Sequence, residues 1–304
     1  MRLYVTMETA TEKRDMSGLA ASYQKEGFLK EEILSPEFLA LAEEGYKTAI
    51  RLLESPGGLQ RKWTHTSGKV KHLVNVHREH PVFRNIIQFP TILEKLKVLY
   101  GDRPLFVTHS KLSFKFTGAD QIWFPHQDSA YKNYDNAITA VAVLLENCDE
   151  GNGALQFFPE SHKLGRLKHE IVFAYNESEP QIRIKSLPNI NPISVGGPQG
   201  TVVLFDGNMI HQSGENRSGG VRSIFIFEVE PIRQFALEAD GTQAIVVNSE
   251  NFVGPPAWQM ALIRGYRYLL DVRLKPTLKR TLFFFYRHFF KNRFVDPSEK
   301  PAKT

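Results

Sequence analysis

Cysteine is almost missing. Cys148 is the only one in 304 residues, which excludes a disulfide framework, a zinc ribbon and a cysteine-ligated iron–sulfur cluster within one chain. Long apolar runs are missing too: the longest, Ala137–Leu145, is interrupted by Thr139 and falls far short of the roughly 20 residues a membrane-spanning helix needs. No charge of one sign is concentrated. Thirty-eight basic residues against 33 acidic give +5, spread along the chain, too diffuse for a nucleic-acid footprint. The first residues, MRLYVTMETATEKRDM, carry acids where a signal or transit peptide is apolar or acid-free. The last four, PAKT, are not a Ser-Lys-Leu peroxisomal address, and a cytoplasmic protein is expected. There is no internal repeat and no low-complexity linker. With 42% hydrophobic and 12% aromatic residues the chain is globular in composition, and any metal site must be assembled from His, Asp and Glu.

The pattern changes once along the chain. Ser17–Glu26 and Ser35–Leu53 place apolar residues at three- and four-residue spacing, and Ser35-Pro36-Glu37 reads as an N-cap, a first-turn proline and an early carboxylate. Pro90–Tyr100 predicts another short helix. From Leu105 the runs become short and rich in Val, Ile, Phe and Thr: Leu105–Phe116, Ala137–Leu145, Ala154–Phe158, Gln181–Leu187, Thr201–Phe205 and Ser223–Val229. Turn chemistry such as Gly151-Asn152-Gly153, Gly196-Gly197-Pro198 and Gly219-Gly220 separates several of them. Short strands without long intervening helices predict an antiparallel sandwich or barrel. The expectation is a mainly β fold with flanking helices in a single domain, 1–304: a mainly helical 1–104, a β core over 105–235 and a helical extension over 236–304.

Four residues carry the chemistry. In FPHQDSAY (124–131), His126 and Asp128 are two apart, and in an extended segment both leave the same face. Such a pair alone suits a charged surface turn better than a metal site. A second segment, 201–230, has an apolar strand, then His211, a polar loop, and Arg222 opening another apolar strand on whose face Ile224 and Ile226 follow. His211 and Arg222 flank a hairpin-like connection, which predicts neighbouring positions on paired strands. Singly they read as a core histidine and a structural ion pair. Together, two His and one carboxylate match the facial triad of non-haem Fe(II) oxygenases. A fork-shaped cation nearby suits the distal carboxylate of a 2-oxoglutarate cosubstrate.

The order of motifs resembles the phytanoyl-CoA dioxygenase family of Fe(II)/2-oxoglutarate oxygenases from about Tyr23 to Val229. The likeness rests on SYQKEGFLKEEILSPEFLALAEE, FPHQDSAY, ENCDEGNGALQFFPESHKLG (146–165) and IHQSGENRSGGVRS. It implies a double-stranded β-helix of jelly-roll type, iron ligands His126, Asp128 and His211, Arg222 on the distal carboxylate of 2-oxoglutarate, and Gln127 beside the cosubstrate. Fe(II), 2-oxoglutarate and O2 are the implied cofactors, with succinate and CO2 as coproducts of C–H oxidation by hydroxylation, desaturation or ring closure. Asp128 argues against halogenation, which replaces that carboxylate by a small residue. Two departures stand out. The strand after the first motif, AITAVAVLL, lacks a tryptophan common there, and the usual "PGSH" is Pro159-Glu160-Ser161-His162.

Other residues carry weaker expectations. Lys115, between Phe114 and Phe116, is a candidate to reach the cosubstrate. Trp123, Tyr131 and Tyr134 bracket the first motif and are candidates to line the substrate pocket, and Lys111, Lys115 and Lys132 lean towards a small anionic substrate. His77-Arg78-Glu79, in HLVNVHREHP, is a rival His-x-acid pair better suited to a charged turn or a lid. His162 and His169 read as surface histidines. The aromatic-basic segment 279–294 predicts docking on the protein or a partner subunit over contact with lipid, and a monomer or homodimer is expected. A metal-dependent hydrolase or isomerase on the same fold would have no use for Arg222. A non-catalytic jelly-roll binding protein is the remaining alternative.

Overall fold

Ser35 accepts a hydrogen bond from the Phe38 amide at 3.3 Å, so the predicted cap does open the long N-terminal helix. The computed structural model describes residues 16–54, 62–64, 70–101, 103, 105–118, 122–130, 138–172 and 181–231. Tyr131, Lys132, Tyr134, the 236–304 extension and its segment 279–294 lie outside the described residues. The described residues begin with α1 (Met16–Glu26), β1 (Phe28–Glu32), α2 (Pro36–Glu54), β2 (Lys62–Thr64) and β3 (Val70–Val74). Three helices follow, α3 (Val76–Glu79), α4 (Pro81–Ile87) and α5 (Pro90–Tyr100). Ten further strands follow among the described residues: β4 (Leu105–Lys115), β5 (Trp123–His126), β6 (Thr139–Leu144), β7 (Leu155–Phe157), β8 (His169–Val172), β9 (Gln181–Ile184), β10 (Ile193–Val195), β11 (Thr201–Asp206), β12 (His211–Ser213) and β13 (Arg222–Pro231).

The architecture is the expected jelly roll. A seven-stranded sheet runs β1-β11-β6-β13-β4-β3-β2, a four-stranded sheet runs β10-β7-β12-β5, and β8-β9 form a ribbon. All the strand pairs within these sheets are antiparallel. The N-terminal part contributes helices α1 to α5, and it also lends β1, β2 and β3 to the large sheet, which the helical pattern around them concealed.

Strand alternation divides the interior in two. Val141 and Val143 of β6 and Phe225 and Phe227 of β13 pack outwards with Phe38, Phe83, Ile86 and Ile92 of the helices. Their neighbours Ala140, Ala142, Ile224 and Ile226 pack inwards with Leu155 and Phe157 of the small sheet. The large sheet is thus buried on both faces, which explains why β6, β11 and β13 read as unbroken apolar runs. Among the described residues, no helix is long and apolar enough to cross a membrane.

The turn from α1 into β1 depends on Gly27, at φ 84°, a conformation L side chains rarely adopt. Its N–H donates to Tyr23 O at 2.7 Å, and its carbonyl accepts from the Asp206 amide at 2.9 Å. A Cβ here would lie 2.3 Å from His162 Nδ1 and 2.4 Å from Met209 Cε. Gly27→Ala is therefore expected to destabilise the protein by about 2 kcal/mol or more, combining left-handed strain with overpacking; urea unfolding checks this. Glu160, at the position where the resembling family carries glycine, also adopts a left-handed backbone, φ 60°. Its N–H donates to Glu26 O at 3.3 Å and its carboxylate pairs with Lys163 at 2.5 Å.

Candidate metal centre

The two short strands β5 and β12 lie side by side with His211 opposite His126, and their rings approach to 4.2 Å between centroids. Asp128 does not extend β5. The strand ends at His126, and Asp128 opens a 3-10 turn, so the extended-segment geometry is corrected: the turn, not a shared strand face, brings the carboxylate in. Asp128 Oδ1 stands 3.7 Å from Nε2 of His126 and 3.7 Å from Nε2 of His211. These separations are too long for hydrogen bonds, while the three donor atoms lie within 4.8 Å of one another.

The tautomers suit a cation. His126 Nδ1 donates to the Phe124 carbonyl at 2.6 Å, and His211 Nδ1 donates to the Met209 carbonyl at 3.1 Å. Each Nε2 is left with its lone pair facing the carboxylate. Burial, helped by the neighbouring His211, pushes the His126 pKa well below the usual imidazole range, so the ring is neutral, as a metal ligand must be. Two imidazole Nε2 atoms and one carboxylate, with no cysteine, form a nitrogen–oxygen donor set that fits Fe(II) with further positions open.

Gln127, between two of these residues, is fully buried. Its amide nitrogen donates to Gly165 O at 2.9 Å and Asn208 O at 2.7 Å, and its amide oxygen accepts from the Leu167 N–H at 2.8 Å. All of these partners belong to the loops around the site, so the structure uses this side chain to fix the metal turn. Ser129 supports the same turn through Asn208 Oδ1 at 2.7 Å. Gln127→Leu would leave three backbone groups without partners. It is expected to cost about 3 kcal/mol of stability and about ten- to a hundredfold in Fe(II) affinity, the range for lost outer support of a metal site. Urea unfolding and anaerobic metal titration read the two effects.

His211 and Arg222 are not on paired strands. Strand β12 belongs to the small sheet, whereas β13 pairs with β4 and β6 in the large one. The loop between them carries the chain across, so the hairpin expectation is corrected: the two residues face one cavity from opposite sheets. Arg222 heads the inward row that continues with Ile224 and Ile226. It is 2% exposed. One NH2 donates to Gly153 O at 3.2 Å, and its Nε has no partner among the described residues. Burial lowers its pKa, offset in part by Cys148 and Glu146. A guanidinium so desolvated and so little paired has room for an anion.

The other predicted residues fall in different places. Lys115, opposite Arg222 on β4, is buried, and its ammonium donates to Ser213 Oγ at 2.7 Å and to Gly214 O. Trp123 is half-buried and lines the cavity. His77 is buried in α3, bound through Nδ1 to Ser110 Oγ at 2.5 Å. Neither His77 nor Glu79 belongs to the His/Asp group that can hold a metal. His162 and His169 are half-buried. His162 Nε2 donates to Gln24 O at 3.0 Å, and His169 Nε2 accepts from the Gln127 amide at 3.2 Å.

Sequence reasoning missed His72, Ser113 and Ser161. His72 and Ser113, opposite each other on β3 and β4, line the cavity; the alternation Lys111, Ser113, Lys115 was the available signal. Ser161 is fully buried and accepts from the Ile210 N–H at 2.9 Å, one residue before His211.

The phytanoyl-CoA dioxygenase family model matches residues 23–224. An ectoine dioxygenase from Sphingopyxis alaskensis is 24% identical over 222 residues, 65% of this chain and 70% of that protein. An L-proline trans-4-hydroxylase from Streptomyces griseoviridis is 22% identical over 213 residues, 60% of this chain and 79% of that protein. Among solved structures, the epimerase SnoN, in complex with Fe3+, alpha ketoglutarate and nogalamycin RO, shares the fold with a TM-score of 0.59 at 20% identity, covering 72% of this chain and 84% of SnoN.

Proposed function

This chain belongs to the phytanoyl-CoA dioxygenase family, and from that premise we propose that His126, Asp128 and His211 hold Fe(II) while Arg222 receives the distal carboxylate of 2-oxoglutarate. The family places the chain among the Fe(II)/2-oxoglutarate-dependent dioxygenases, oxidoreductases that use Fe(II), 2-oxoglutarate and O2. Bound iron supplies the coupling of oxidative decarboxylation, with succinate and CO2 as coproducts, to oxidation of an unactivated C–H bond of a small molecule. That oxidation ends in hydroxylation, desaturation or ring closure. The described sheets and helices share one framework, which supports one oxygenase domain.

The residues divide the work. Nδ1 protons of His126 and His211, tied to backbone carbonyls, keep both Nε2 lone pairs aimed at the metal position. Asp128 supplies the negative charge, and Gln127 and Ser129 hold its turn. Arg222 orients the cosubstrate through the geometry of its fork. Phe205 and Phe157 pack against His211 and keep that side of the site apolar, which limits access of water.

The observation that carries this reading is Arg222: a buried guanidinium with an unpartnered Nε, lining the same cavity as the three donors. A hydrolase or isomerase on these ligands has no anion to place there. Anaerobic titration of 2-oxoglutarate with and without Fe(II) tests the reading. Its two anchors, metal and Arg222, require the affinity to rise at least tenfold when metal is present, roughly the effect of one added strong contact. Equal affinity without metal would contradict it.

A further inference from the structure

The oxygenase reading employs one cation of the cavity, Arg222, and leaves another without a task. Lys111 also lines the cavity, on the inward row of β4 that includes Ser113. It stands opposite Ile226, whereas Arg222 stands opposite Lys115. Their backbone positions are therefore four residues apart along the paired strands, roughly 13 Å at about 3.3 Å per residue. The distal carboxylate of 2-oxoglutarate is assigned to Arg222, which leaves Lys111 free of that role. Among the described residues, no carboxylate pairs with Lys111.

The surroundings of Lys111 have a definite chemistry. Its Nζ lies 5.9 Å from the centroid of the Trp123 ring, and Lys71 Nζ lies 3.8 Å from the same centroid. His72 stacks on the indole at 5.1 Å. Trp123 in turn stands 6.0 Å from the His126 ring, so this corner adjoins the proposed metal. After burial, Lys111 and then Lys71 are the strongest influences pushing the His72 pKa below its usual range, which keeps the imidazole neutral beside two ammonium groups. The corner presents the Lys111 ammonium, is half-enclosed and is backed by an aromatic face, a combination that takes an anionic head joined to a hydrocarbon body.

We infer that Lys111, with Trp123 as the adjoining wall and Lys71 on the indole, anchors the carboxylate of the molecule being oxidised. The substrate is a small carboxylate whose hydrocarbon portion lies along Trp123 towards the metal. Naming the bound molecule the substrate rests on the oxygenase reading; the anion site itself does not.

Propionate and its neutral isostere propionamide are the probes, titrated by saturation-transfer NMR into the full chain under anaerobic conditions with saturating Fe(II) and 2-oxoglutarate. Propionate is expected to bind at least about tenfold more tightly than propionamide, the effect of one charge-assisted hydrogen bond. Lys111→Met and Lys111→Gln are each expected to abolish that preference while 2-oxoglutarate affinity and thermal unfolding stay as in the parent, and Lys111→Arg to retain it. Propionamide binding as tightly as propionate, or an undiminished preference in both neutral variants, overturns the inference. The same titration in Arg222→Ala protein without 2-oxoglutarate separates the two readings: retained preference for propionate supports the Lys111 site even if 2-oxoglutarate proves not to bind the parent, and its loss there assigns the anion to Arg222 instead.

Discussion

Arg222→Met protein is expected to bind Fe(II) as the parent does and to lose 2-oxoglutarate affinity by about 30-fold to several thousandfold. The range corresponds to about 2–5 kcal/mol for truncating one partner of a buried hydrogen-bonded charge pair. The same substitution should leave the apo protein at least as stable as the parent. Without an anion, Arg222 is a desolvated cation that, among the described residues, donates to the Gly153 carbonyl and has an unpartnered Nε, and an apolar side chain of similar length removes that cost. A purely structural arginine predicts the reverse, lower stability and unchanged cosubstrate binding. Arg222→Lys should recover only part of the affinity, since an ammonium cannot match the paired donors of a guanidinium. Anaerobic calorimetry with 2-oxoglutarate and a thermal unfolding curve for each variant decide between these outcomes.

The second large effect is on the metal. Loss of an outer hydrogen bond at a metal site costs about ten- to a hundredfold in affinity, so loss of a ligand should exceed that. Asp128→Ala, which removes the one negative charge of the donor set, is expected to weaken Fe(II) by more than about a hundredfold. His126→Ala and His211→Ala should do likewise, with 2-oxoglutarate affinity in each falling to its metal-independent value. Equilibrium dialysis against Fe(II) under anaerobic conditions measures this. Iron binding at parental affinity in these three variants would remove the proposed site.

Much of the framework was legible because it is repetitive. Strands β4, β6, β11 and β13 are long and apolar enough to show as runs, and α2 and α5 carry their own start signals in Ser35-Pro36 and Pro90. The strands that bear the histidine donors were not legible as strands: WFPH and HQS have four and three residues, too few for any period to emerge. Their chemistry was visible only through ordered motifs matched to a family. Strand β3, VKHLV, was hidden by its buried Lys71 and His72, and β1 by the charged FLKEE.

Sequence spacing misled where the chain changes layer. Eleven residues from His211 to Arg222 look like a hairpin, but nothing local reports that the loop crosses from one sheet to the other. The His-x-Asp spacing had a similar fault. Convergence depends on a turn stabilised by the Ser129 amide on Gly207 O at 3.0 Å and by the buried Gln127 amide, whose partners Gly165, Leu167 and Asn208 lie 38, 40 and 81 residues away, contacts that no window contains. Lys115 shows the same limit in its contacts: its ammonium donates to Ser213 and Gly214, 98 and 99 residues away.

Two neighbouring but separable anchors, the proposed His/Asp/His metal site and Arg222, would together bind the cosubstrate. Anaerobic equilibrium dialysis of Fe(II) and 2-oxoglutarate together, on the parent, Asp128→Ala and Arg222→Met proteins, separates them. A crossed pattern is expected: both ligands retained by the parent, iron and its enhancement of 2-oxoglutarate binding lost in Asp128→Ala, and 2-oxoglutarate alone lost in Arg222→Met. Parallel loss or parallel retention of both ligands in the two variants would contradict it.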